Sequence, residues 1–103
     1  MSVTELDGLW KVKRAGGFLP PLIGVRKLIY GQRGETQVGR VCAVPFRVEG
    51  KALRYCRPFE SFVDLIEPDE NGFEGKATFR GREFGRFVMR RIADEHDIAD
   101  ISL

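Results

Sequence analysis

The sequence predicts an all-β protein, a small antiparallel up-and-down β-barrel of seven or eight strands. Three observations carry this reading. Between residues 73 and 92 apolar side chains recur at every second position on either side of a turn. Phe73, Gly75, Ala77 and Phe79 fall on one face, and Glu74, Lys76, Thr78 and Arg80 on the other. Short strand-like runs recur along the chain, separated by turn signals compact enough to make neighbours in sequence neighbours in space, which favours a barrel over a two-sheet sandwich. Finally, Gly39, Gly75 and Gly85 fall inside expected strands, where a missing side chain lets a sheet coil sharply enough to close.

Taken in order, Leu6, Gly8, Trp10 and Val12 alternate with Asp7, Lys11 and Lys13 in a first strand, leaving Leu9 on its outer face. Residues 15–22, AGGFLPPL, are expected to end that strand, because paired glycines and consecutive prolines remove ladder donors. Residues 25–30 read as a second strand with ambiguous faces, since Arg26 and Lys27 are adjacent. Gly31-Gln32-Arg33-Gly34 reads as a turn. Thr36, Val38, Cys42 and Val44 share a face of the next strand, interrupted by Arg40, and Pro45 marks an edge, bulge or break. Gly50-Lys51 fits a two-residue hairpin turn that pairs Val48 with Leu53 and Phe46 with Tyr55. Residues 61–67 form another strand and 68–72 a turn. In the last hairpin Phe79 is expected opposite Gly85, Ala77 opposite Phe87 and Gly75 opposite Met89, large against small. A single barrel domain thus covers 1–92, and 93–103 form an acidic tail that is helical or frayed.

A chain of 103 residues with 43% apolar composition suits one globular domain that folds without staples. Cys42 and Cys56 lack the spacing of a metal pair and fall on opposite strand faces, so free thiols are expected. No apolar run is long enough to span a bilayer, and MSVTELDGLW lacks the pattern of a secretory signal, so the expected location is the cytoplasm. Whether the protein is a monomer or a homodimer is open. Asp94, Glu95, Asp97 and Asp100 lie beyond the last basic residue, Arg91. Setting these four aside leaves 17 Lys and Arg against 11 of the 15 acids, a basic body that can steer anionic partners or simply aid solubility.

Catalytic chemistry is poorly represented. His96 is the only histidine and lies among the tail acids, where a solvated side chain is expected rather than a base or metal ligand. Asp64 is ambiguous: facing inward with Phe62 and Ile66 it becomes a buried carboxyl able to anchor a ligand or move a proton, whereas Val63 and Leu65 inward would turn it to solvent. No Ser-His-Asp or Cys-His arrangement and no phosphate-cradling glycine motif is present, so no enzyme activity, cofactor or metal is indicated.

Gly8-Leu9-Trp10 resembles the G-x-W opening of the calycin superfamily, which comprises lipocalins, fatty-acid-binding proteins and their short relatives. Arg91, on the face of Phe87 and Met89, is similar to the arginine that packs across that tryptophan. The resemblance implies a calycin-like barrel closed at the end carrying Trp10 and open at the other, with the connection after the first strand as a lid. A hollow barrel would hold a small, largely apolar molecule against Trp10, Phe46, Phe79, Phe87 and Met89, with Tyr55 as a polar anchor and Arg91, Phe18 and Leu19 completing the site. Phe18, Leu19 and Leu22 read as a core plug, as a lid or as a docking surface for another chain, in that order.

Two other functions remain open on the sequence. Lys76, Arg80, Arg82, Arg86, Arg90 and Arg91 intermingle with Phe79, Phe84 and Phe87, a combination suited to a barrel that binds single-stranded nucleic acid through its last hairpin. A structural or protein-interaction domain would use neither feature.

Overall fold

The computed structural model describes residues 6–93, which form eight strands and no helix. These are β1 (Gly8–Gly17), β2 (Val25–Tyr30), β3 (Arg33–Val38), β4 (Cys42–Glu49), β5 (Ala52–Tyr55), β6 (Phe62–Asp69), β7 (Gly72–Phe79) and β8 (Arg82–Ala93). Each pairs antiparallel with the next, and β8 returns to β1 to close an up-and-down barrel. Closure removes every unpaired sheet edge. The fold expected from the sequence is therefore the fold found, at the upper of the two strand counts.

Connections alternate between the two ends of the barrel. The pairs 31–32, 50–51 and 70–71 close one end, while 18–24, 39–41, 56–61 and 80–81 crown the other. The hairpin at Gly50-Lys51 has the expected register, with Val48 opposite Leu53 and Phe46 opposite Tyr55. Several boundaries differ from expectation. Residues 36–44 are not one strand, because Gly39 adopts a left-handed φ of 58° and the chain reverses through 39–41. The turn after β2 is only two residues long, so Arg33 and Gly34 belong to β3, and likewise Pro68, Asp69 and Gly72 are strand residues.

β1 also runs on through Ala15-Gly16-Gly17 instead of ending there. A bulge between Arg14 and Gly16 absorbs one residue, and Gly17 pairs with Gly85. A Cβ on Gly17 would stand 2.6 Å from the Gly85 Cα and 2.7 Å from the Phe84 carbonyl oxygen. The glycines thus permit close strand contact, and only the prolines that follow leave the ladder.

In the last hairpin Arg80 and Gly81 both take positive φ, 51° and 83°, so the reversal is a tight two-residue turn. Phe79 consequently opposes Arg82, not Gly85. A bulge after Ala77 then brings Ala77 opposite Gly85, Gly75 opposite Phe87 and Phe73 opposite Met89. The expected register is displaced by two positions, which preserves the inward face but keeps large opposite small only at Gly75 and Phe87; Ala77 and Gly85 are both small, and Phe73 and Met89 are both large. A Cβ on Gly75 would meet the Phe87 ring at 2.2 Å, so the glycine makes room for the ring.

The lower half of the barrel is solid. Trp10, Ile29, Phe46, Leu53, Ile66 and Met89 are almost wholly buried, and Phe73 packs edge-on to Trp10 at 5.3 Å. Trp10 Nε1 donates to the Leu6 carbonyl at 2.8 Å, while the Arg91 guanidinium lies 4.3 Å over the indole and donates to the Asp7 carbonyl at 2.6 Å. These contacts tie the segment before β1 across the closed end. Leu9 does lie outside the main core, beside Leu28, but the pair is largely covered.

Because Gly75 has no room for a side chain, Gly75→Ala should lower stability by about 1–3 kcal/mol through overpacking. Urea denaturation of the single variants and of Gly75→Ala with Phe87→Leu should give less-than-additive losses, since the smaller side chain vacates the contested space.

Candidate functional site

Above the Trp10 layer the barrel is hollow. A cavity of about 360 Å³ opens there, walled mainly by apolar side chains including Val12, Val44, Ala77 and Phe87. Alternation places one polar side chain from each of four strands at its floor. Lys27 lies between Val25 and Ile29 on the inward face of β2, and Thr36 is its direct partner on β3. Tyr55 ends β5 opposite Phe46, and Asp64 on β6 sits between Leu53 and Ala77. The ambiguity of Asp64 is resolved inward: it is 6% exposed, and Lys27 only 2%.

These four groups form a closed hydrogen-bond circuit. The Lys27 ammonium donates to Thr36 Oγ1 at 2.7 Å, to Tyr55 Oη at 2.9 Å and to Asp64 Oδ2 at 2.9 Å, which uses all three of its protons. Tyr55 donates to Asp64 Oδ2 at 3.2 Å. Its single proton being spent, the 2.6 Å contact with Thr36 has the threonine hydroxyl as donor. Rings of Phe46, Tyr55 and Phe87 surround the ammonium at 5.2–5.4 Å from their centroids, adding cation–π attraction. Asp64 Oδ1 accepts no hydrogen bond, yet no closed-off side-chain N or O among the described residues lacks a partner, so Oδ1 reaches accessible space.

Burial alone would push the Lys27 pKa down, but the Asp64 carboxylate and the Tyr55 oxygen outweigh it and leave the pKa above the ordinary lysine value. Lys27 is thus a fixed cation at neutral pH, unsuited to nucleophilic or Schiff-base chemistry, which needs the free amine. Burial raises the Tyr55 pKa as well; Lys27 opposes that shift and Asp64 adds to it. The floor is therefore a neutral, pre-organised polar patch in apolar surroundings, fit to orient a guest.

The roof comes from the 18–24 connection. Leu19 and Leu22 line the cavity, and Leu19 is seated against Gly85, where any Cβ would collide with it at 2.3 Å. Arg14 holds the segment by donating to the Leu19 carbonyl at 2.8 Å and the Gly17 carbonyl at 2.6 Å. Phe18 points to solvent.

Of the residues singled out from the sequence, Leu19, Tyr55 and Phe87 line the cavity. Trp10, Phe46 and Met89 lie in the solid half, and Arg91 is at the closed end over Trp10. Phe79 is partly exposed and packs on Phe62 at 4.8 Å. Lys27 and Thr36 were not singled out, although Val25-Lys27-Ile29 is a period-two pattern that would have turned the lysine inward. On the basic hairpin, Arg86 pairs with Glu83 at 2.8 Å and Arg90 with Asp69 at 3.0 Å, while Phe87 is buried. Both cysteines are free. The His96 cluster lies outside the described residues, among which no three His, Cys, Asp or Glu side chains gather as metal ligands and no helix is long and apolar enough to cross a membrane.

Comparison with protein-family models, with curated proteins and with solved structures returns no match for this chain.

Lys27→Met leaves the Asp64 carboxylate buried without its cation and should cost about 3–5 kcal/mol in urea denaturation, whereas Lys27→Met with Asp64→Leu should recover most of that loss. Alkali provides an independent check. With both the Lys27 and Tyr55 pKa values raised by folding, the folded chain keeps protons that the unfolded chain releases, so the stability is complete below about pH 10 and falls above it. Melting temperatures followed from neutral to about pH 11 should fall more steeply for the parent protein than for the doubly substituted one.

Proposed function

We propose that the protein binds a small, largely apolar molecule in the open half of a calycin-like barrel. The observation that carries this reading is the roofed cavity of about 360 Å³, within the usual size range of small-molecule sites, whose apolar walls converge on one buried polar cluster. The placement of Trp10 under Arg91 at the closed end supports the calycin comparison. Apolar walls supply affinity, and the polar floor supplies orientation.

The floor also favours a particular polar group on the guest. Every Lys27 proton is engaged within the circuit, and Asp64 Oδ1 is its uncommitted acceptor. A guest offering a hydroxyl or amine donor completes the cluster; one offering a carboxylate meets Asp64 with like charge. The nucleic-acid alternative has less support, because the Arg86 and Arg90 charges are already paired and the Phe87 ring is buried where no base can stack.

Native mass spectrometry of the purified protein should reveal a small-molecule adduct that is lost on denaturation. In calorimetric titrations a medium-chain alcohol or amine should bind at least about tenfold more tightly than the matching carboxylate, and Val44→Phe, which fills the wall, should abolish all binding. Equal affinity for the three compounds, or binding unaffected by Val44→Phe, would count against this site.

A further inference from the structure

The mouth of the barrel carries an apolar crest that neither the core nor the cavity uses. Phe18, Ile23 and Val41 are 92%, 90% and 93% exposed, respectively. All three lie on mouth-end connections, the first two on 18–24 and the third on 39–41. Gly39 N donates to the Gly24 carbonyl at 3.1 Å, which sets the turn carrying Val41 beside the end of 18–24 that carries Ile23, while Phe18 stands at the other end of that connection, its N donating to the Phe84 carbonyl at 2.7 Å. Val38, Phe59 and Phe79, each more than a third exposed, extend apolar surface along the same end. Leaving such side chains in water is unfavourable, and their concentration at one end of an otherwise charged surface marks a contact site.

The charges beside the crest that lack an ion pair are of one sign. Arg26, Arg40, Arg80 and Arg82 stand at or next to the mouth-end connections, and none of them makes an ion pair among the described residues. The acids there are compensated: Glu60 faces Arg57 at 4.0 Å and Glu83 is held by Arg86 at 2.8 Å. Counted the same way among the described residues, the closed end carries one unpaired cation, Arg33, and one unpaired acid, Glu70, while Glu49, Lys51 and Asp69 are ion-paired.

From this arrangement we propose that the open end of the barrel docks on an anionic phospholipid bilayer, with Phe18, Ile23 and Val41 inserted among the acyl chains and the unpaired arginines at the headgroups. Near-complete exposure means that the three side chains protrude instead of lining a groove, a shape that a fluid bilayer accommodates and a rigid protein partner must match with a cavity. Two copies of this face would bring like charges together, so charge complementarity favours an anionic membrane over self-association. Insertion of this kind follows the physics of monotopic proteins, with apolar burial and electrostatic attraction acting together. The inference does not depend on what occupies the cavity, although it turns the mouth toward a source of apolar molecules.

Co-sedimentation of the full chain with vesicles of phosphatidylcholine alone and of phosphatidylcholine mixed with phosphatidylserine tests the proposal directly. Binding is expected to the mixed vesicles and to weaken with added salt. Phe18→Ser with Ile23→Ser should reduce partitioning at least tenfold without changing the melting temperature, since neither side chain packs in the fold. Each of Arg40→Gln and Arg82→Gln should reduce it by about fivefold, the factor equivalent to about 1 kcal/mol per basic residue near an anionic surface. Unchanged partitioning of the Phe18/Ile23 variant, or equal binding to neutral and anionic vesicles, would overturn the proposal. So would sedimentation showing that the free protein dimerises through these same side chains.

Discussion

Closure of the sheet between β1 and β8 is the constraint from which the rest of this structure follows. Eight strands fix an interior only wide enough for side chains or one small guest, so every inward position either fills the space or leaves it empty. Toward the closed end, Trp10, Phe46, Phe73 and Met89 fill it. Toward the mouth, small or retracted side chains such as Ala77, Thr36 and Val44 leave it open. Gly75 decides where one ring goes, because the far end of the Phe87 ring occupies the space that a Cβ at Gly75 would fill.

The buried circuit around Lys27 marks the boundary between the two halves. A lone charge at this depth would be prohibitively costly, and an ion pair there is no more stabilising than a well-packed apolar substitute. A stability argument therefore does not account for four polar groups at the centre of a chain this short. Their arrangement is better explained as a fixed polar surface that faces the hollow half, held in one geometry because each donor has one acceptor.

The sequence was informative where a local rule governs and weak where partners come from distant strands. Alternation in 73–92 and the glycine turn at Gly50-Lys51 identified the sheet and one register outright, since both depend on adjacent residues. The bulges after Arg14 and Ala77 could not be anticipated, because each is set by strand twist and by contacts between β1, β7 and β8. Gly39 looked like a strand glycine because Thr36, Val38, Cys42 and Val44 happen to keep one parity across it. Site residues divided in the same way. Tyr55 and Phe87 were visible as inward aromatics, whereas Lys27 was obscured by its neighbour Arg26, and Asp64 could be oriented only once Ala77 and Leu53 flanked it.

The roof segment has a mechanical consequence. Arg14 fastens its first residues to β1, while hydrogen bonds from Val25 N to the Leu22 carbonyl and from Gly39 N to the Gly24 carbonyl fasten its last. Between these anchors lie only Pro20 and Pro21, which add no ladder hydrogen bonds, so displacing the segment would break none of the pairings among the eight strands. If the cavity takes a guest as proposed, release through the mouth would require Leu19 and Leu22 to give way but would not require the barrel to unfold. On that reading, lifetime of occupancy and durability of the fold would be separately adjustable quantities in one small chain.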